Sequence, residues 1–296
     1  MSDCGTRAIS IIAFIGSVFS PWYRWSGRKD PENHCCINVA TYGPGGRFTM
    51  TDRGRSALKL TSDTMTVGPS GLRWIDDRLE IDIDEIGALP LVTPVKGRVT
   101  VHAPNRTDVE LPLTEDGAHI WRPFAPRARI DVALEKSGWS WSGEGYLDAN
   151  FGSRALEEDF SYWTWGRFPT PSGSICFYDS KRLDGSELNQ TILFPHEGAP
   201  YVIPSAQKTR LPRNIWALRR EIRSDPGATP RQVMPMLDAP FYSRALVETQ
   251  LDGAPTIGVY EAVDLRRFRS PWLKPMLAVR VPRRPGWRFS DAETET

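Results

Sequence analysis

The chain has 296 residues, long enough for two domains or one large β domain, with an ordinary globular composition of 40% hydrophobic and 25% charged residues. A net charge of +1 from near-equal acids and bases supplies no field for gripping nucleic acid. The basic stretch from Arg280 to Arg288 is local, and reads as a solvated tail or a weak contact with anionic lipid.

In chain order, the first apolar segment is Ala8 to Phe19. It holds about a dozen apolar-biased residues, too few for the roughly 20 that span a bilayer. Arg7 precedes it, as in a signal peptide, but Ser20-Pro21-Trp22 offers no convincing small-x-small cleavage site, so the segment is predicted as the first buried strand. Cys35 and Cys36 would point to opposite faces of a strand, which suits neither a shared metal nor a disulfide. With Cys4 and Cys176 they read as reduced small hydrophobes in a reducing, cytoplasmic compartment.

Period-2 alternation then dominates. Leu79, Ile81 and Ile83 alternate with acids, Ile130, Val132 and Leu134 alternate with Asp131, Ala133 and Glu135, and Ser56 to Val67 and Arg98 to His102 follow suit. Such runs are antiparallel strands with one face in the core and one in water. Gly43 to Gly46, Gly68 to Gly71, Pro169 to Gly173 and Asp184-Gly185 supply turns, and 24 glycines with 25 prolines suit many short strands. Arg213 to Ser224 fits a short helix or a strand, and the strand is preferred. The expected architecture is all-β: a sandwich or barrel, the latter able to enclose an apolar ligand. A boundary is placed near residues 155 to 172, dividing the chain into 8–160 and 161–287, with a disordered tail at 288–296.

Several chemistries are not indicated. There is no G-x-G-x-x-G, Walker loop, paired Cys/His spacing or G-x-S-x-G elbow, and the four histidines are scattered. What remains is acid–base work by side chains alone, without metal or cofactor, or pure binding. Two segments concentrate the residues for it. His119 and Trp121 share one strand face, as do Tyr146, Asp148 and Asn150. If those faces meet in an apolar lumen, the inventory is one for protonating an alkene. A buried, uncharged carboxyl group donates the proton, since desolvation raises carboxyl pKa values by as much as about 3–5 units. Aromatic faces stabilise the cation, and His119 acts as base or orients water. Asn150, before Phe151-Gly152, fits a turn. Phe160 and Tyr162 form one aromatic stripe, with Trp163 and Trp165 on the opposite face. Glu157, Glu158 and Asp159 read as a solvated cluster, with Asp159, and similarly Asp179, as secondary acid candidates.

At these segments the sequence resembles the carotenoid 1,2-hydratase (hydroxyneurosporene synthase) family of phototrophic bacteria. The matching stretches are Phe14 to Pro21, His34 to Ala40 with Tyr42-Gly43-Pro44, and Gly145 to Gly152 continuing through Leu156-Glu157, Trp163 and Trp165-Gly166-Arg167. Cys36 and Thr41 stand where smaller or more apolar residues are expected. The resemblance implies two lipocalin-like antiparallel β domains and cofactor-free, acid-catalysed hydration of acyclic carotenoids such as neurosporene and lycopene. It also implies a site at His119, Trp121, Tyr146 and Asp148, with Asp148 as proton donor; these are the residues the strand argument selects. Trp163, Trp165 and Tyr162 are the expected substrate-binding aromatics. The expected partners are the carotenoid and water, with no nucleic acid and no obligate protein partner, and the chain is expected to dock on the cytoplasmic face of the membrane. A non-catalytic isoprenoid carrier and a pericyclase on the same scaffold are the alternatives.

Overall fold

The computed structural model describes residues 1–90 and 92–285, so the tail expected at 288–296 and the end of the basic stretch at Arg288 lie outside the described residues. The fold is mostly β, its sheets antiparallel, with a few short helices such as Leu273–Arg280. Among the described residues two compact units emerge, both discontinuous in sequence: 1–105, 127–146 and 271–285 form one, and 106–126 with 147–270 form the other. A sequential reading places a single cut near 160. Two long strands, His119–Leu134 and Ser140–Gly152, contribute residues to both units instead.

In the first unit, Arg78–Ile86 pairs with Pro94–His102, which pairs in turn with His119–Leu134. The register sets Leu79 and Ile130 opposite Val101, and Ile81 and Val132 opposite Val99. All six are buried, so the alternation visible in the sequence becomes a continuous apolar face. The strand expected over Ser56 to Val67 is instead a hairpin, Leu58–Leu60 with Thr64–Val67. Thr61 Oγ1 donates to Asp63 Oδ1 at 2.6 Å, a local bond that competes with the ladder and turns the chain. Ala8–Ile15 is a strand but mostly half-buried; its partner Cys35–Tyr42 is buried throughout. All four cysteines are free thiols. Two ionic groups sit wholly inside this unit. Arg53 Nη2 donates to Glu85 at 2.7 Å, and Ser70 Oγ donates to the same carboxylate at 2.8 Å. Asp52 accepts from Ser20 at 2.5 Å and from Arg283.

The second unit is built on a seven-stranded sheet whose centre is Gly173–Arg182, Phe160–Thr170 and Ala254–Asp264. One sheet face carries the core of Phe168, Ile175, Phe177, Tyr260 and Ala262, packed with Leu218 and Ile222. Ile222 lies on the short strand Arg220–Ser224. The preceding residues do not extend that strand, because Asn214 Oδ1 accepts from the amides of Trp216 and Leu218 and Ala217 takes φ +54°. Asp179 lies on this same face, where Arg223 holds it at 2.5 and 2.9 Å. It is a structural ion pair and is removed from the acid candidates.

Candidate active site

The opposite face of that sheet carries the candidate residues. Residues directly opposite in an antiparallel ladder point the same way. Trp165 faces Tyr178 and Glu261, and Arg167 faces Cys176, so Trp163, Trp165, Arg167, Cys176 and Tyr178 share one side. Tyr162 points to the other, where its hydroxyl donates to the Arg219 carbonyl at 2.8 Å and its ring packs on the core. The structure therefore keeps Trp163 and Trp165 together and separates Tyr162 from them.

A β-bulge between Phe160 and Tyr162 changes the register at the strand's start. It breaks the expected Phe160–Tyr162 stripe and turns Phe160 to the side of Trp163. An unbroken aromatic chain results. The centroid of His119 lies 5.1 Å from that of Phe160, Phe160 lies 5.8 Å from Trp163, Trp163 6.1 Å from Tyr178, and Tyr178 5.8 Å from Trp121. These are edge-on and tilted ring contacts of the favourable kind. His119 and Trp121 are each 1% exposed, which fits their shared inward face at the start of one strand.

Asp148 joins this chain from the neighbouring strand. The Trp121 indole Nε1–H donates to Asp148 Oδ2 at 2.8 Å, and Asp148 is half-buried. Burial pushes the Tyr178 phenol far above its ordinary range, and an ionised Asp148 would push it in the same direction. Burial likewise pushes the Cys176 thiol up, to about 12. Tyr146 is half-buried two residues before Asp148 on the same strand, and Asn150, two residues after it, is exposed but lies within the strand, not on the expected turn.

His119 has a partner that the sequence presents in another role. Its Nε2 lies 2.7 Å from Asp159 Oδ2. Arg154 clamps the same carboxylate, Nε to Oδ2 at 2.7 Å and Nη2 to Oδ1 at 2.8 Å, and reaches Asp116 at 2.7 Å with Nη1. The Arg154 guanidinium, followed by the His119 bond, holds the Asp159 carboxyl below the usual carboxylate range. That is the wrong state for a proton donor, so Asp159 is removed from the acid candidates and becomes the partner of the imidazole. Tyr178 is the second residue that pattern reading leaves aside. Its signal was the alternation Cys176, Tyr178, Ser180 on a strand next to the two tryptophans, which needs the pairing register to interpret.

Among the described residues no group of three or more His, Cys, Asp or Glu is arranged to hold a metal ion. Nor, among them, is any helix long and apolar enough to cross a membrane.

Comparison with known proteins gives the fold and the family. A crystallised Nitrosomonas europaea protein assigned as AttH superposes with a TM-score of 0.57 at 13% identity, covering 89% of each chain, and so shares the lipocalin-like two-domain β fold. The acyclic carotenoid 1,2-hydratase of Cereibacter sphaeroides is 60% identical over 280 residues, 95% of this chain and 100% of that protein. The hydratase of the same name from Rhodobacter capsulatus is 56% identical over 282 residues, again 95% and 100% of the two chains. The carotenoid hydratase CrtC family model matches residues 11–290, and with these relatives it shows that the chain belongs to that family.

Proposed function

We propose that this carotenoid hydratase adds water across the terminal 1,2 double bond of acyclic carotenoids, with Asp148 as the proton donor and the surrounding aromatic side chains as the stabilisers of the cation. The observation that carries the reading is the Trp121 Nε1–Asp148 Oδ2 bond of 2.8 Å, set at the end of the Trp121, Tyr178 and Trp163 rings. An indole N–H can only donate. It holds Oδ2 as an acceptor, so the proton to be delivered resides on Oδ1.

The chemistry follows from that placement. The alkene π pair takes the Asp148 proton at C2, leaving a tertiary cation at C1 and a carboxylate on Asp148. Ring faces of tryptophan and tyrosine contribute roughly 2 kcal/mol or more to such a cation when water is excluded. A water lone pair then forms the C1–O bond, and the surplus proton leaves through a base, for which His119 is placed on the same strand face. Return of one proton to Asp148 closes the cycle. The long apolar substrate, the preference among neurosporene, lycopene and related polyenes, and contact with a membrane surface that delivers them are parts of the same proposal.

The test is isotopic. The purified chain is given lycopene in liposomes in ²H₂O or in H₂¹⁸O with a chelator present. One deuterium at C2, or one ¹⁸O in a tertiary alcohol at C1, is the expected product. Bound but unaltered pigment would make the chain a carrier, and ring closure without label would make it a pericyclase; either overturns the reading.

A further inference from the structure

Three features of His119 set it apart from a packed core histidine. Its side chain is 1% exposed. Its Nε2 is bonded to a carboxylate that Arg154 holds by two bonds. Its Nδ1 is buried without a hydrogen-bond partner among the described residues. Buried polar atoms are almost always paired, so a buried orphan marks a place where a ligand or water can complete the network.

The charged groups fix which nitrogen carries the hydrogen. Asp159 is an acceptor only, because Arg154 donates to both of its oxygens. The hydrogen between Asp159 and the ring must therefore belong to Nε2. In the neutral ring Nδ1 then carries the lone pair, and a buried lone pair without a donor among the described residues is the poised state of a base. Asp116, on the turn before the strand, closes the assembly: it accepts from Arg154 Nη1 at 2.7 Å and from the Ala118 amide at 3.1 Å. Those bonds anchor the guanidinium to the residue adjacent to His119. The groups around the imidazole are thus Asp159 and, behind it, Arg154 and Asp116, with the Phe160 ring at 5.1 Å and the Gly152 backbone alongside.

We propose that Asp159, clamped by Arg154, is a positioning residue that locks His119 as its Nε2–H tautomer and leaves Nδ1 to take the proton of the attacking water. The inference rests on the hydration proposed above. As the water oxygen bonds to C1, one O–H bond breaks, its electron pair stays on oxygen and its proton passes to Nδ1. Nothing is oxidised or reduced.

Two measurements test it. The first is ¹⁵N NMR of the full chain with labelled imidazoles, His119 being assigned by loss of its signals in His119→Gln. A pyridine-like Nδ1 and a pyrrole-like Nε2 are expected; the reverse pattern overturns the proposal. The second is Asp159→Asn, which removes the charge at constant size. With the N–H-fixing carboxylate gone, kcat is expected to fall by about 10²-fold or more, the scale of general-base catalysis, with KM within about twofold and a mixed tautomer signal. A variant that keeps kcat within threefold of the parent overturns it. Should Asp159→Asn fail to fold, the parent's NMR pattern still decides. Should the parent form no alcohol at all, hydration itself fails while the tautomer result stands, so the two ideas fall separately.

Discussion

Asp148→Asn is the sharpest perturbation of the proposed acid, because it changes protonation chemistry and little else. The amide oxygen can still accept the Trp121 indole N–H that now reaches Oδ2 at 2.8 Å. The protonated acid and the amide both accept as neutral groups, whose bonds contribute about 0.5–1.5 kcal/mol, so the variant's stability changes by less than about 1 kcal/mol. For a protein of this size that moves Tm by less than about 2–4 °C. The effect on rate is of another order. Loss of a general acid costs about 10²–10⁴ in kcat, or about 2.7–5.5 kcal/mol of barrier. Lycopene in liposomes, product alcohol resolved by chromatography and a thermal melt of the same preparation give both quantities. An Asp148→Asn enzyme with turnover within threefold of the parent and an intact melt would refute the assignment of the acid.

Further outcomes follow from the same coordinates. Gly152→Ala would set a Cβ 2.9 Å from His119 Nδ1 and 3.3 Å from Cε1; overpacking of this kind costs about 1–3 kcal/mol, and displacing the ring should lower kcat more than tenfold in the same turnover assay. Glu85→Ala strands the buried Arg53 guanidinium, which Glu85 meets at 2.7 Å. Leaving one member of a buried pair costs about 3–5 kcal/mol, or roughly 6–20 °C in Tm at the scaling for this size, seen by calorimetry. Cysteine alkylation at pH 8 should be confined to Cys4, which is exposed and lowered to about 7 by hydrogen bonds from Ser2 and Thr6. Cys35, Cys36 and Cys176 are buried with burial-raised thiols, so peptide mass spectrometry should find them unlabelled until denaturant is added.

Much of the fold was legible in local pattern. Leu79, Ile81 and Ile83 are buried as their alternation requires, and the turn at Gly68 closes a hairpin with φ +62°. His119 and Trp121 share an inward face because two positions along a strand return to the same side. Where pattern failed, a local bond or an irregularity intervened. Thr61 and Asp63 bend a run that alternation presents as one strand, and Asn214 caps a turn inside a run that reads equally well as helix or strand. The Phe160–Tyr162 bulge is the instructive case. One extra residue inverts the face of everything before it, and no composition marks it.

Residue identity and spacing alone therefore pointed to the antiparallel β class and to the shared inward face of His119 and Trp121, and supplied the proposed inventory of Asp148, His119, Trp121 and Tyr146, because strand periodicity acts over neighbouring residues. Tertiary structure alone decided that Asp159 is held ionised beside an imidazole 40 positions away, that Tyr178 bridges Trp121 to Trp163, and that Tyr162 turns to the other side of the sheet. Those outcomes depend on strand register and on which charges are brought within bonding distance, and both are set by long-range pairing that no local window contains.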